Sequence, residues 1–240
     1  SVVGGSGDDE FYVFDAQGTG GSATIEGGET GEDLIDGANG GAGDWMRLDR
    51  DSASTRAVTP FTITATGDEA GSVTGGATDL TWSEIENIVT ADGADTVDLS
   101  LDTTGMAVYA EAGNDSVIGG SGADTIEGGL GDDSIFGGAG DDVLKTGQGQ
   151  DTLDGGDGND RMAGGRGADV FVFSANPGND QIADFEPGTD LIRIYDPGLR
   201  FATLDMRQVA QNVQITLGAS AITLADAQIA ELSAGDFLFG

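Results

Sequence analysis

The chain has 240 residues, and 43 Asp and Glu against 9 Lys and Arg give a formal net charge of −34 at pH 7. It contains no His and no Cys, which excludes a Ser-His-Asp triad, a Cys-His pair, an HExxH zinc site and disulfides. The negative field repels nucleic acid and anionic membrane surfaces, and no apolar run reaches the ~18 residues of a membrane span. Glycine is more than twice as frequent as usual, with 43 residues, so folding needs a contribution besides apolar burial, and a cation is the natural candidate.

The N-terminal region, residues 1–39, contains two nine-residue stretches with a common pattern. They begin at Gly4 and Gly28, and each has Gly at its fourth place, Asp at its sixth and an apolar residue at its eighth. The two sixth-place residues are Asp9 and Asp33. We interpret this region as degenerate units of the repeat that follows downstream.

Residues 40–89 do not keep the nine-residue pattern. The alternating stretches 61–66 and 72–74, separated by Gly-Asp-Glu-Ala-Gly, predict a β-hairpin. Residues 80–88 alternate like a strand that leads back into the repeats. This part of the chain is therefore predicted to be a β insertion.

The array, residues 90–173, contains seven uninterrupted nine-residue units between residues 110 and 172. The fourth place is always Gly: Gly113, Gly122, Gly131, Gly140, Gly149, Gly158 and Gly167. The sixth place is always Asp: Asp115, Asp124, Asp133, Asp142, Asp151, Asp160 and Asp169. The eighth place is always apolar: Val117, Ile126, Ile135, Leu144, Leu153, Met162 and Phe171. A disordered linker has no reason to keep this phase, so the units indicate a repeat fold.

The units resemble the G-G-x-G-x-D-x-U-x nonapeptide of the RTX (repeats-in-toxin, haemolysin-type) calcium-binding proteins. The resemblance implies a parallel β-roll, in which a turn and a short strand form each unit and two units form one coil. It also implies that units one coil apart share each calcium ion, which gives about five ions for seven units. The residue types agree with calcium binding. Glycines let backbone carbonyls turn inward, and Ca²⁺ takes six to eight oxygen ligands, whereas Zn²⁺ prefers His or Cys.

The predicted metal-binding residues are the fourth-place glycines and the sixth-place aspartates of the array, together with the aspartates of looser units. The looser units supply Asp9, Asp33, Asp95, Asp180 and Asp190. The units at 90–98 and around Asp33 and Asp190 lack their first glycines, so a structural turn without metal is an equally good interpretation there. One apolar side chain per unit contributes ~1.5–3 kcal/mol, less than the ordering entropy of nine residues at ~1–2 kcal/mol each. Calcium binding and folding are therefore expected to be one event.

The C-terminal region, residues 174–240, has less glycine and more apolar residues than the array. Residues 213–217 and 221–224 predict a hairpin across Gly218, and the region is expected to cap the last coil. Residues 232–240 resemble the C-terminal type I secretion signal of serralysin-like proteins, in which an Asp precedes a few terminal hydrophobic residues. The resemblance implies export by a type I (ABC) secretion machinery to the outside of the cell or its surface, and no signal-peptide pattern is visible at the N-terminus.

The expected fold class is all-β: a parallel β-roll with an inserted β-hairpin region and a C-terminal β-rich cap. The expected function is that of a secreted calcium-binding protein, not an enzyme, with a structural role in an extracellular matrix or at a surface. The alternative is the C-terminal folding and secretion module of a larger secreted enzyme or toxin. A carboxylate-only mechanism is compatible with the composition, but the repeat already accounts for most aspartates. An assembly of copies is compatible with the structural role, although the sequence does not define one.

Overall fold

The computed structural model describes residues 85–240, apart from residues 91, 175–176 and 197, and the backbone of seven strands in the first 84 residues. The early strands are β1 (Val2–Val3), β2 (Glu10–Phe14), β3 (Ser22–Glu26), β4 (Trp45–Asp49), β5 (Thr62–Gly67), β6 (Ala70–Thr74) and β7 (Asp79–Ser83). Those that lead into and through the array are β8 (Asn87–Val89), β9 (Thr96–Asp98), β10 (Ala107–Tyr109), β11 (Ser116–Ile118), β12 (Thr125–Leu130), β13 (Ser134–Ala139), β14 (Val143–Gln148), β15 (Thr152–Asp157), β16 (Arg161–Arg166) and β17 (Val170–Phe173).

The C-terminal region continues with strands and short 3-10 helices. The strands are β18 (Asn179–Ile182), β19 (Leu191–Ile194), β20 (Asp205–Val209), β21 (Asn212–Leu217), β22 (Ser220–Leu224) and β23 (Phe237–Phe239). The 3-10 helices are η1 (Phe201–Thr203), η2 (Ile229–Glu231) and η3 (Ala234–Asp236). Within the residues that the structure describes, no helix has the length and apolar character needed to cross a membrane.

From β7 to β19, successive strands alternate between two sheets, which confirms the predicted parallel β-roll. Sheet 1 has the order β1-β3-β7-β6-β5-β9-β11-β13-β15-β17-β19-β23, and sheet 2 has the order β2-β4-β8-β10-β12-β14-β16-β18-β22-β21-β20. Within the array every neighbour is parallel, and equivalent places of units one coil apart are in register. Ile126 pairs with Leu144 in sheet 2, and Ile135 pairs with Leu153 in sheet 1.

The central strands are longer than the three residues per unit that the alternation predicts. Each strand from β12 to β16 has six residues, because pairing continues through the first three residues of the next unit. Gly129 pairs with Gly147, and Gly138 pairs with Gly156. These four glycines have φ between +93° and +111°. The chain can therefore bend at each glycine pair and keep the hydrogen bonds between neighbouring strands.

The core consists of the eighth-place side chains, stacked between the two sheets. All seven are at most 2% exposed, and they join one apolar cluster with residues of the C-terminal region. Phe171 packs against Phe185, with ring centroids 6.2 Å apart. The inward direction predicted for the eighth place is confirmed.

Both predicted hairpins are present. β5 and β6 pair antiparallel, and β21 pairs antiparallel with β22 across Gly218. The strand predicted for 80–88 is two strands instead, because β7 belongs to sheet 1 and β8 to sheet 2. At the C-terminal end, the β20–β22 meander extends sheet 2, and β23 pairs in parallel with β19 in sheet 1.

Candidate metal centre

The turns between strands lie along two edges of the roll. The first edge consists of the turns that lead into sheet 1, and it contains Asp95, Asp115, Asp133, Asp151, Asp169 and Asp190. The second edge consists of the turns that lead into sheet 2, and it contains Asp124, Asp142, Asp160 and Asp180. Each of these aspartates directly precedes or lies within the first residues of a strand, and all are at most 5% exposed. The structure thus places every described sixth-place aspartate inside the roll.

The sixth-place carboxylates form a hydrogen-bond ladder along each edge. In every rung, Oδ1 of one aspartate accepts a backbone N–H from the preceding coil. The donor and acceptor residues are Asp95 to Asp115 (2.7 Å), Met106 to Asp124 (2.8 Å), Asp115 to Asp133 (2.9 Å), Asp124 to Asp142 (2.7 Å), Asp133 to Asp151 (2.8 Å), Asp142 to Asp160 (2.9 Å), Asp151 to Asp169 (3.0 Å), Asp160 to Asp180 (2.9 Å) and Asp169 to Asp190 (3.1 Å). This ladder fixes the orientation of each carboxylate, because one oxygen is held by the backbone.

The second carboxylate oxygen, Oδ2, makes the ladder suitable for binding a cation. Oδ2 of Asp115, Asp133, Asp142, Asp151 and Asp160 is buried and has no hydrogen-bond partner. A buried polar atom without a partner is costly, and a buried carboxylate oxygen costs more than a neutral one. A divalent cation beside these oxygens would remove that cost, so the residues present fit calcium.

Most of the oxygens of such a cation would come from the backbone. Among the residues that the structure describes, no three acidic side chains gather at one point. Calcium accepts carbonyl oxygens as readily as carboxylates, whereas transition metals prefer nitrogen and sulfur ligands. The turns offer the carbonyl oxygens, and each sixth-place aspartate offers one unpartnered carboxylate oxygen at most.

Without a cation, the ladder carboxylates resist ionisation. Burial raises the pKa of Asp115, Asp142 and Asp180 to about 7. Burial likewise raises the pKa of Asp133, Asp160 and Asp169 to about 6. Backbone hydrogen bonds oppose these shifts, and neighbouring aspartates on the ladder add to them. The carboxylates therefore hold protons at a pH where exposed aspartates are ionised.

The metal-free protein is expected to become more stable as the pH falls from about 7.5 to about 5. Because the pKa of the ladder aspartates from Asp115 to Asp190 is higher in the folded chain than the ordinary 3.8, the folded chain binds more protons than the unfolded chain in this range. Its stability is full below about pH 4 and is lost as the pH rises through about 6–7. Far-UV circular dichroism in a chelator at about pH 7.5 and at about pH 5 measures this, and an equal or smaller β signal at the lower pH would contradict it. With saturating calcium the trend reverses, because protons then compete with the ion.

The fourth-place glycines are required by the close approach of successive coils. A Cβ at Gly113, Gly131, Gly149 or Gly167 would overlap with the carbonyl oxygen of the fourth-place glycine one coil earlier. Gly140 and Gly158 make the same approach on the second edge, to Gly122 and Gly140. The sequence predicted these glycines as metal-site residues; the structure gives them this packing role, and their part in metal binding stays a prediction.

A second ladder, outside the first, was not predicted. At the fifth place, side chains accept backbone N–H groups from the following coil, in the opposite direction to the inner ladder. The donor and acceptor residues are Asp132 to Asn114 (3.0 Å), Gln150 to Asp132 (2.8 Å), Asn159 to Asp141 (2.8 Å) and Asn179 to Asn159 (3.1 Å). These side chains are exposed. The available signal was the recurrence of Asn or Asp at the fifth place of four array units.

Three of the five aspartates in the looser units lie within the described residues. Asp9 and Asp33 lie outside the described residues. Asp95, Asp180 and Asp190 are rungs of the inner ladder despite the imperfect sequences around them. Oδ2 of Asp190 also accepts the N–H of Glu186, at 2.8 Å, so its second oxygen is already bonded by the backbone.

Fold and turns together define a calcium-binding β-roll. A family model for the RTX calcium-binding nonapeptide repeat matches residues 109–144 and 136–171. Residues 109–171 are therefore RTX calcium-binding nonapeptide repeats. No curated protein matches the chain by sequence.

Several solved structures are similar to parts of the chain. The AlgE6R3 subunit of mannuronan C5-epimerase from Azotobacter vinelandii is 28% identical, with a TM-score of 0.41, over 48% of this chain and 77% of that one. The AlgE6R2 subunit is also 28% identical, with a TM-score of 0.42, over 51% and 91%. The extracellular lipase LipA from Serratia marcescens is 16% identical, with a TM-score of 0.44, over 99% of this chain. The chain spans 39% of that lipase.

Proposed function

We propose that this chain is a secreted, non-catalytic calcium-binding scaffold that folds on calcium after export and serves in an extracellular matrix or at a cell surface. The observation that supports it best is the inner ladder, in which buried carboxylates keep an oxygen without a hydrogen-bond partner. Asp115, Asp124, Asp133, Asp142, Asp151, Asp160 and Asp169 would hold the ions together with carbonyls of the turns. The number of ions is expected to be about five in the array.

Calcium would supply electrostatic neutralisation and a link between coils. Like charges near 4 Å apart repel by about 4 kcal/mol at an effective dielectric of 20, and a divalent ion between them reverses the sign. The chain's own cations do not play this part in the array: Lys145 pairs instead with Glu127 at 2.8 Å, on the exposed surface of sheet 2. Metal binding would thus contribute directly to the free energy of folding.

Coupling of folding to calcium binding would make export directional. Inside a cell, free calcium is scarce, so the unfolded chain can pass through a narrow channel. Outside, calcium is plentiful and ligand binding stabilises the folded state by mass action, which opposes return. The resemblance of residues 232–240 to a type I secretion signal supports this route, with the ABC secretion machinery as the transient partner.

The size of the native protein distinguishes this proposal from a module of a larger enzyme or toxin. An antibody against residues 90–240 is used to isolate the native protein from culture medium, and its intact mass is measured. A species near the 24.1 kDa of the chain supports the stand-alone scaffold. A much larger species, or a protein retained in the cytoplasm, would contradict it.

A further inference from the structure

The first place of two second-edge units lies close to two acceptor oxygens. A Cβ at Gly137 would overlap with Oδ2 of Asp142 and would lie 2.7 Å from the carbonyl oxygen of Gly155. A Cβ at Gly119 would lie 2.6 Å from Oδ2 of Asp124 and would overlap with the carbonyl oxygen of Gly137. That Oδ2 of Asp124 also accepts the N–H of Gly120. A carboxylate oxygen of one coil and a carbonyl oxygen of the next thus lie beside the same glycine, an arrangement that suits a cation and leaves no room for a Cβ.

Thr146 occupies this place in the fifth unit of the array. It is fully buried, and its hydroxyl donates to the carbonyl oxygen of Gly164, one coil on, at 2.9 Å. The side chain therefore places a Cβ at the first place and supplies the carbonyl with a proton donor.

Thr90 repeats the arrangement one coil before Ala110. It is 1% exposed, and its hydroxyl donates to the carbonyl oxygen of Ala110 at 2.9 Å. Ala110 also carries a Cβ at the first place but has no hydroxyl to donate. Both threonines lie on the first edge, whereas the first places of the second-edge units at 119, 137 and 155 are all glycine.

We propose that Thr146 and Thr90 close the metal sites at their coil junctions, and that a hydroxyl-to-carbonyl hydrogen bond links the coils there in place of a calcium ion. The first edge then carries fewer ions than its coil junctions could hold. A buried hydroxyl paired with a carbonyl contributes a modest net stabilisation without any ion, so these junctions do not depend on calcium. This inference rests on the proposed calcium function.

The number of calcium ions bound by the whole chain at saturating calcium, measured by native mass spectrometry, tests the inference. Thr146→Gly restores the glycine of the repeat and is expected to bind one ion more than the parent chain. Thr146→Val keeps the Cβ and is expected to bind as many ions as the parent. Gly137→Thr is expected to bind one ion fewer.

Two outcomes would overturn the inference while leaving the calcium function intact. One is an unchanged ion count in Thr146→Gly. The other is a lost ion in Thr146→Val, which would make the hydroxyl a metal ligand. A parent chain that binds no calcium would instead refute the proposed function, and this inference with it.

Discussion

Asp133→Asn is expected to weaken the calcium-bound protein, because a neutral amide replaces a carboxylate that would hold an ion. The amide oxygen of Asn can still accept the N–H of Asp115, which Oδ1 of Asp133 accepts at 2.9 Å. The substitution removes the negative charge of the Asp133 carboxylate, which is 3% exposed and whose second oxygen has no hydrogen-bond partner. Loss of one ion at a calcium concentration a hundredfold above its Kd costs about 2.7 kcal/mol. Chemical unfolding at several calcium concentrations measures the loss, which is expected to grow as the calcium concentration rises.

Asp132→Asn is the matched control, because it makes the same charge change one residue away. Asp132 is exposed and belongs to the outer ladder, where its Oδ1 accepts the N–H of Gln150 at 2.8 Å. Its replacement is expected to leave the calcium-dependent part of the stability unchanged. If both variants lost the same calcium-dependent stability, the charge of the whole edge would matter and the inner ladder would not be the site.

Gly149→Ala is expected to destabilise the calcium-bound array. Gly149 has φ +150°, and a Cβ there would overlap with the carbonyl oxygen of Gly131. The backbone conformation costs a non-glycine residue about 1–3 kcal/mol, and overlap with a rigid backbone costs about 1–3 kcal/mol more. Chemical unfolding at fixed calcium measures the total.

Gly188→Ala separates the two contributions to that cost. Gly188 has φ +80°, and a Cβ there would meet nothing within 4 Å. Only the conformational part, about 1–3 kcal/mol, is expected at this position. Equal effects of the two substitutions would show that close packing of the coils does not make the fourth-place glycines necessary.

The sequence predicts the roll well because its pattern and its geometry have the same period. An apolar residue at every ninth position, with Gly and Asp at fixed distances before it, is compatible with few folds, and Val117 through Phe171 all point inward as expected. The hairpin across Gly218 follows from alternation on both sides of a glycine. These features depend on local chemistry repeated many times.

Features that depend on contacts between coils could not be predicted from the sequence in the same way. The direction of the inner ladder, from a backbone N–H to a carboxylate 18 residues on, is a property of the stacked coils. The outer ladder and the hydroxyl of Thr146 likewise have partners that only register defines. A pattern of residue types gives the units, whereas the pairing of units supplies these contacts.

The C-terminus shows how a motif can serve the fold as well as a predicted signal. Asp236 is 2% exposed, and its Oδ1 accepts the N–H of Gly188 at 2.7 Å. The next residue, Phe237, begins β23 and packs on Phe201, with ring centroids 5.3 Å apart. The hydrophobic residues predicted as part of an export signal thus also form the last strand of sheet 1, and the Asp before them is held by the backbone of Gly188, roles that sequence resemblance did not indicate.

The central claim is that the inner ladder makes folding depend on calcium. Far-UV circular dichroism of the whole chain at about pH 7.5, in EDTA and then with excess calcium, tests it most directly. The predicted result is a spectrum without β-roll structure in EDTA, recovery of the β signal with calcium, and no recovery with the same concentration of Mg²⁺. A β signal of equal size in EDTA and in calcium would contradict the claim.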